Sequence, residues 1–297
     1  MILLVNFWLT IYKLASITKP VIAEALIYWL NQNSIDINTA IKAYLPQNLS
    51  ANLGLNGVDI TFKHLLNHTS GMPLFPNDLS NLVTEYDSTK IYNYISSHSL
   101  LRTPGTLPTT KEEAAAFYSS FAYGFAGIIL ERQLKQPLQN VFQNYIFQSL
   151  QMTSTTLNNV DNIANKAYPH NNSGPITYTD LSGLAGGGNL KSNLNDLAKY
   201  VQAQINASNT NSLGQAILQS QDPTIQIDLK DHFALGWEFY YTSTNKKLIF
   251  KNGISPGFTA AIAFDKDTKK AIITLFNNFR TNNPGVRYLT LIEEYFK

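Results

Sequence analysis

Ser16 and Lys19, three positions apart in the stretch KLASITKPV, are residues whose types and spacing suit nucleophilic chemistry. On a helix, positions i and i+3 share a face, so the Lys19 amine can come within reach of the Ser16 hydroxyl. A lysine whose pKa is lowered by burial and nearby cations can take the serine proton and so create a nucleophile. A helix N-terminus at Ser16 would favour the negative charge that develops there. Alone, S-x-x-K equally describes a capping serine followed by a solvated lysine. The surrounding elements and the other motifs of the chain have to decide.

Residues 16–31 carry Ile22, Leu26, Trp29 and Leu30 at helical spacing, which predicts a helix with one buried stripe starting at or near Ser16. Pro20 fits near its first turn, where backbone N–H groups have no intrahelical partner. Ahead of it, MILLVNFWLTIY lacks the basic start of a secretion signal and reads as a β-strand leading into the helix. No apolar run is long enough to span a bilayer as a helix. From about 35 to 205 the pattern is helices separated by polar, Gly- and Pro-containing loops. From 233 onward it changes to β-rich segments joined by STNK and DKDTK turns, an antiparallel meander, and VRYLTLIEEYF closes the chain as a helix. The expectation is α+β: one unit over 1–297, with a helical lobe at about 16–205. A sheet lobe at about 206–297 would be completed by a strand within 1–15.

Of 297 residues, 44% are hydrophobic and 12% aromatic, the composition of a packed globular chain. With 22 basic against 20 acidic residues and no basic run, nothing favours nucleic acid or an anionic membrane surface. A small-molecule substrate and a monomer are expected. The absence of cysteine removes disulfides, thiolate metal sites and a cysteine nucleophile together. No metal or organic cofactor is implied.

Two further stretches accompany the serine and lysine in order. AFYSSFAYGFAGIIL offers Tyr118 ahead of a helix, and LIFKNGISPGF offers Lys251 and Gly253 at the end of a strand. The ordered set S-x-x-K, Y-x-[NS], K-x-G resembles the serine β-lactamase and penicillin-binding family. YKLASITKPVIAEAL, ITFKHLLNHTSGMP, LAGGGNLKSNLNDLAKY, ALGWEF and FKNGISPGFTAAIAF look like family blocks in family order, so the likeness covers nearly the whole chain. The region after LAGGG and the C-terminal tail look most like class C β-lactamases, close to D-alanyl-D-alanine carboxypeptidases and family esterases. The fold implied is an antiparallel sheet flanked by helices plus a mostly helical lobe.

Carried over by position, the resemblance makes Ser16 the acylated nucleophile and Lys19 its base. Tyr118 becomes a proton relay favoured as phenolate by Lys19 and Lys251, and Lys251 also offers positive charge to a substrate carboxylate. The backbone N–H groups of Ser16 and Ile254 become the oxyanion hole, with Gly253 beside them. Asn283 and Arg287 fall near places where class C enzymes contact the substrate carboxylate. A periplasmic or cell-envelope location follows from the resemblance if an upstream signal exists.

The departures also matter. Ser120 stands where the second motif usually has Asn and is expected to be too short to reach the substrate amide or Lys19. Asn252 replaces the Thr of K-T-G, and Phe75 stands where class C enzymes often carry a glutamine. The family's usual N-terminal helix and two strands are expected to be absent ahead of the first motif, exposing a sheet edge.

Three other patterns carry less. GISPG, residues 253–257, matches G-x-S-x-G, but Pro256 has no N–H and the context is strand, turn, strand. His64 and His68 have metal-like i,i+4 spacing without a third ligand, and packing or loop-fixing roles are expected. GGGNLKS lacks the glycine before the lysine of a phosphate loop and reads as a flexible loop edging the cleft.

Overall fold

A computed structural model describes residues 8–77, 88–178, 180, 182–227, 232–279 and 285–297. The elements that bear on function are, in chain order, strand β1 (Tyr12–Lys13), a 3-10 turn (Ala15–Ile17) and helix α1 (Thr18–Gln32). Helices α2 (Ser120–Leu134) and α3 (Ala185–Gly188), strand β2 (Lys191–Ser192), and helices α4 (Leu194–Ile205) and α5 (Ser212–Ser220) follow. Then come strands β3 (Ile225–Gln226), β4 (His232–Phe233), β5 (Glu238–Tyr241), β6 (Lys247–Ser255), β7 (Phe258–Asp265) and β8 (Lys270–Phe276), and helix α6 (Gly285–Tyr295). The last six strands form one antiparallel sheet in the order β8-β7-β6-β5-β4-β3, the predicted meander.

The alternation of β6 explains how the sheet divides its labour. Leu248 and Phe250 face α6, where they pack with Ala261, Ala263, Tyr288, Ile292 and Phe296. Lys251 and Gly253 face the opposite way, toward the 3-10 turn. On that side Ala260, Ile262 and Phe264 of β7 join the main core with Trp237. β7 is therefore buried on both faces and reads as an unbroken apolar run, FTAAIAF.

α1 differs from its expected single stripe. Every residue from Thr18 to Ile27 is buried, so the helix is enclosed around its circumference. Small and aliphatic side chains permit this, and it places the first turn of α1 deep between sheet and helices. The N-terminal strand also departs from expectation. β1 pairs antiparallel with β2, Tyr12 opposite Ser192 and Lys13 opposite Lys191, in a separate ribbon, and does not complete the main sheet. The part of the predicted strand at 1–7 lies outside the described residues.

Candidate active site

The turn that presents Ser16 is built locally. Ala15 adopts φ +47°, a left-handed conformation unusual for a residue with a side chain. The turn is held because the Thr18 hydroxyl donates to Ala15 O at 2.7 Å while accepting from the Leu190 N–H at 3.0 Å. The Leu14 N–H donates to Leu190 O at 2.9 Å. Ser16 itself is partly exposed at the cleft floor, and Lys19 lies one turn further in with no exposed surface.

Lys19 Nζ donates to Ser16 Oγ at 3.0 Å, Ser120 Oγ at 3.1 Å and Gly187 O at 2.7 Å. An ammonium has three N–H donors, so the charged form is fully satisfied here. In the neutral form, N–H bonds kept to Ser120 and Gly187 aim the lone pair at Ser16. Ser120 thus reaches Lys19, contrary to the expectation that its side chain is too short. It does so because α2 begins there: Ser119 caps the helix by accepting from the Ala122 N–H at 2.9 Å, which turns the first residue inward. Gly187 also needs its lack of a side chain, since a Cβ would lie 2.5 Å from Ser120 O. The GGG stretch is accordingly a buried helical turn against α2 and not the loop expected.

Tyr118 sits between the two lysines, its ring centroid 4.7 Å from Lys19 Nζ and 5.0 Å from Lys251 Nζ. Burial alone would raise its phenol pKa, but Lys19 and Lys251 together outweigh that and hold it below its ordinary value. Lys19 is lowered as well, by burial first and by Lys251 next. Lys251 goes the other way. Its burial penalty is overcome by a direct ion pair with Glu238 on β5 and by Tyr118, so it stays charged. The cluster therefore holds one fixed cation, Lys251, beside a lysine and a phenol that both release protons more readily than usual.

Glu238 escaped the sequence reading. The residue adjoins Trp237 in ALGWEF, but its role depends on β5 pairing with β6, Glu238 opposite Phe250, next to Lys251. His68 is placed as a loop-fixing residue: its Nδ1 accepts from the Ser119 N–H at 3.0 Å, and its ring lies 4.3 Å from that of Tyr118. Burial and the two lysines hold His68 well below its ordinary pKa, so it acts as a neutral acceptor. His64 caps a short helix, accepting from the Thr61 N–H at 3.2 Å. In GISPG, Ser255 ends β6 and pairs with Phe258 across a Pro256–Gly257 turn, strand to strand.

β6 runs hard against the nucleophile turn. A Cβ at Gly253 would fall 1.9 Å from Leu14 O and 2.9 Å from Ser16 N. Gly253→Ala is expected to push the strand away at a cost of about 3 kcal/mol in urea unfolding. An unchanged midpoint would show that the strand is not seated this closely. Asn252 lies on the other face, where its amide donates to the Tyr288 hydroxyl at 2.7 Å. Arg287 is exposed, with its guanidinium 5.7 Å from the ring of Phe276 on β8. Asn283 lies outside the described residues. Ser16, Tyr118, Ser120, Ile254 and Phe75 line one cleft of about 270 Å³ with Leu74 and Lys13.

The chain matches the family model Beta-lactamase over residues 9–295. Among curated proteins it is 24% identical to protein Flp of Staphylococcus aureus (strain NCTC 8325 / PS 47) over 277 residues, 90% of this chain and 53% of that protein. It is 22% identical to penicillin-binding protein 4* of Bacillus subtilis (strain 168) over 292 residues, 90% of this chain and 61% of that protein. The chain thus spans just over half the length of these relatives. Among solved structures, a beta-lactamase/D-alanine carboxypeptidase from Pseudomonas syringae superposes with TM-score 0.78 at 21% identity, covering 97% of this chain and 85% of that one. A counterpart from Yersinia pestis gives TM-score 0.78 at 19% identity, covering 97% and 84%. The fold is therefore the β-lactamase/transpeptidase-like one. Since the family model matches from residue 9 to residue 295, the chain belongs to the beta-lactamase family.

Proposed function

We propose that this protein is a serine hydrolase that forms an acyl-enzyme at Ser16 on a β-lactam or a related amide or ester. The observation that carries the reading is the threefold hydrogen bonding of Lys19 Nζ, which leaves a neutral Lys19 only one direction for its lone pair, toward Ser16 Oγ. Lys19 takes the Ser16 proton as Oγ attacks the carbonyl carbon, and the carbonyl oxygen becomes an oxyanion facing the N–H groups of Ser16 and Ile254. The proton passes through Tyr118 to the leaving nitrogen or oxygen as its bond to carbon breaks. A water then loses a proton to Tyr118 and attacks the acyl carbon, and Ser16 Oγ leaves and recovers a proton from Lys19. Lys251, kept charged by Glu238, holds the phenolate form of Tyr118 available throughout.

The relatives and structural neighbours support the acyl-transfer class and leave the substrate as part of the proposal. A class C-like β-lactamase, a D-alanyl-D-alanine carboxypeptidase and a small-ester esterase share these steps and differ in the leaving group. Intact-mass analysis after incubation with a fluorophosphonate, nitrocefin, a penicillin and p-nitrophenyl acetate tests the reading. A one-to-one adduct on the fluorophosphonate-treated protein, absent in Ser16→Ala, is expected, with chromophore release ranking the substrates. Folded protein that gains no mass with any probe would refute it.

A further inference from the structure

On the cleft wall, three residues before the nucleophile, stands a lysine that the proposed chemistry does not use. Lys13 lines the same cleft as Ser16, Gly187, Gly188 and Ser255, yet only 5% of its surface is exposed. Behind it Asp180 is shared with a second buried lysine. Lys191 Nζ approaches both Asp180 oxygens, at 2.8 and 2.9 Å, and also donates to Leu157 O at 2.9 Å. Lys13 Nζ lies further from the same carboxylate, 3.7 Å from Oδ1, and 5.7 Å from the centroid of the Tyr178 ring.

The cluster thus sets two cations against one carboxylate, and its excess positive charge sits on the member that borders the cleft. Register places it there, since Lys13 and Lys191 are direct partners across the β1–β2 ribbon. Like charges forced together across a ribbon are unfavourable, and Asp180 relieves only part of that. An anion arriving from the cleft would complete an alternating arrangement of two cations and two carboxylates. Desolvation supports the same reading: burial, opposed by Asp180 and reinforced by Lys191, lowers Lys13 to about 8, so the empty site disfavours a charge that a bound anion would stabilise.

We propose that Lys13 forms an anion subsite of the cleft, selecting substrates whose acyl portion carries a carboxylate. The subsite is separate from Lys251, whose ammonium is committed to Glu238. The substrate assignment rests on the hydrolase reading above; the site itself does not.

Two arms keep the two ideas distinguishable. In the first, binding of monomethyl succinate and of methyl butyrate to Ser16→Ala is compared by calorimetry, which needs no turnover. Monomethyl succinate is expected to bind at least about tenfold more tightly, as for a hydrogen bond to a charged group. That preference should vanish in Lys13→Met and fall in the unmutated lysine background as pH rises through 8, while Lys13→Arg should keep it across that range because guanidinium does not titrate there. In the second, the ratio of kcat/KM for p-nitrophenyl hemisuccinate over p-nitrophenyl butyrate is measured in otherwise wild-type protein and in Lys13→Met, and it should fall about tenfold. Equal binding of the two esters, or a preference that survives Lys13→Met, would overturn the inference. Failure of Ser16 to react with a fluorophosphonate would overturn the hydrolase reading and leave the binding arm to decide the subsite.

Discussion

Lys19→Met is expected to slow acylation of Ser16 by about a thousandfold, the scale of losing a positioned general base. Methionine is close to lysine in length and apolar, so it can occupy the fully buried position, although Ser120 Oγ and Gly187 O lose their donor. Circular dichroism and a urea midpoint therefore accompany the rate. The sharper comparison is Lys19→Arg. If Lys19 acted only as a positive charge beside Ser16, guanidinium would restore much of the rate; if Lys19 takes a proton, guanidinium cannot, because it has no accessible neutral form.

The pH dependence adds an independent sign. Tyr118 is held below its ordinary value only because two lysines together outweigh its burial. Removing one of them leaves burial less opposed and moves the phenol pKa up. The residual acylation of Lys19→Met should therefore rise with pH along a limb displaced to higher pH than in the wild type. Stopped-flow fluorophosphonate labelling from pH 6 to 10 reads both effects. An arginine variant acylating at the wild-type rate would remove Lys19 from the role of base.

What was legible beforehand follows the range over which each feature is decided. The Ser16–Lys19 pair depends on a helical spacing of three, and the antiparallel meander on local alternation and turn residues. Both are visible in a short window. Tyr118 and Lys251 are more than 100 residues from the nucleophile and drew meaning from resemblance, not from spacing. Glu238 was missed because its carboxylate meets Lys251 only once the β5–β6 register is set. Ser120 was judged by side-chain length, whereas its reach comes from where α2 starts. The triple glycine was read as loop on composition. Close approach of α3 to α2, with no room for a Cβ at Gly186 or Gly187, is a packing fact that composition does not carry. The pairing of β1 with β2 joins segments about 180 residues apart and had no local signature.

Glu24→Gln is expected to flatten a pH dependence of stability that the wild type carries between about pH 4.5 and 8. Glu24 lies in α1, on the same helix as Lys19, and has no exposed surface. Its Oε1 accepts from the Tyr200 hydroxyl at 2.8 Å and from the Gln204 amide at 2.9 Å, both on α4, whereas Oε2 is buried without a hydrogen bond. Burial dominates these contacts and pushes the carboxyl up to about 8. Unfolded, the group titrates near the usual carboxyl value of roughly 4.3. Between those two values the folded chain keeps a proton that the unfolded chain has released. Stability therefore falls as pH rises, by up to about 1.4 kcal/mol per unit, and the loss levels off once the folded carboxyl itself ionises. A glutamine amide has no charge to bury and carries no such slope. Its NH2 group cannot reproduce both carboxyl oxygens, so the absolute stability of the variant at pH 5 is set by packing, and the informative quantity is the difference from wild type as pH changes. That difference should move in favour of Glu24→Gln by about 3 kcal/mol between pH 5 and 8, read from urea midpoints at each pH. Parallel curves for the two proteins would mean that Glu24 ionises in the folded state at an ordinary pH, and that the enclosure of α1 around it is looser than its buried hydrogen bonds indicate.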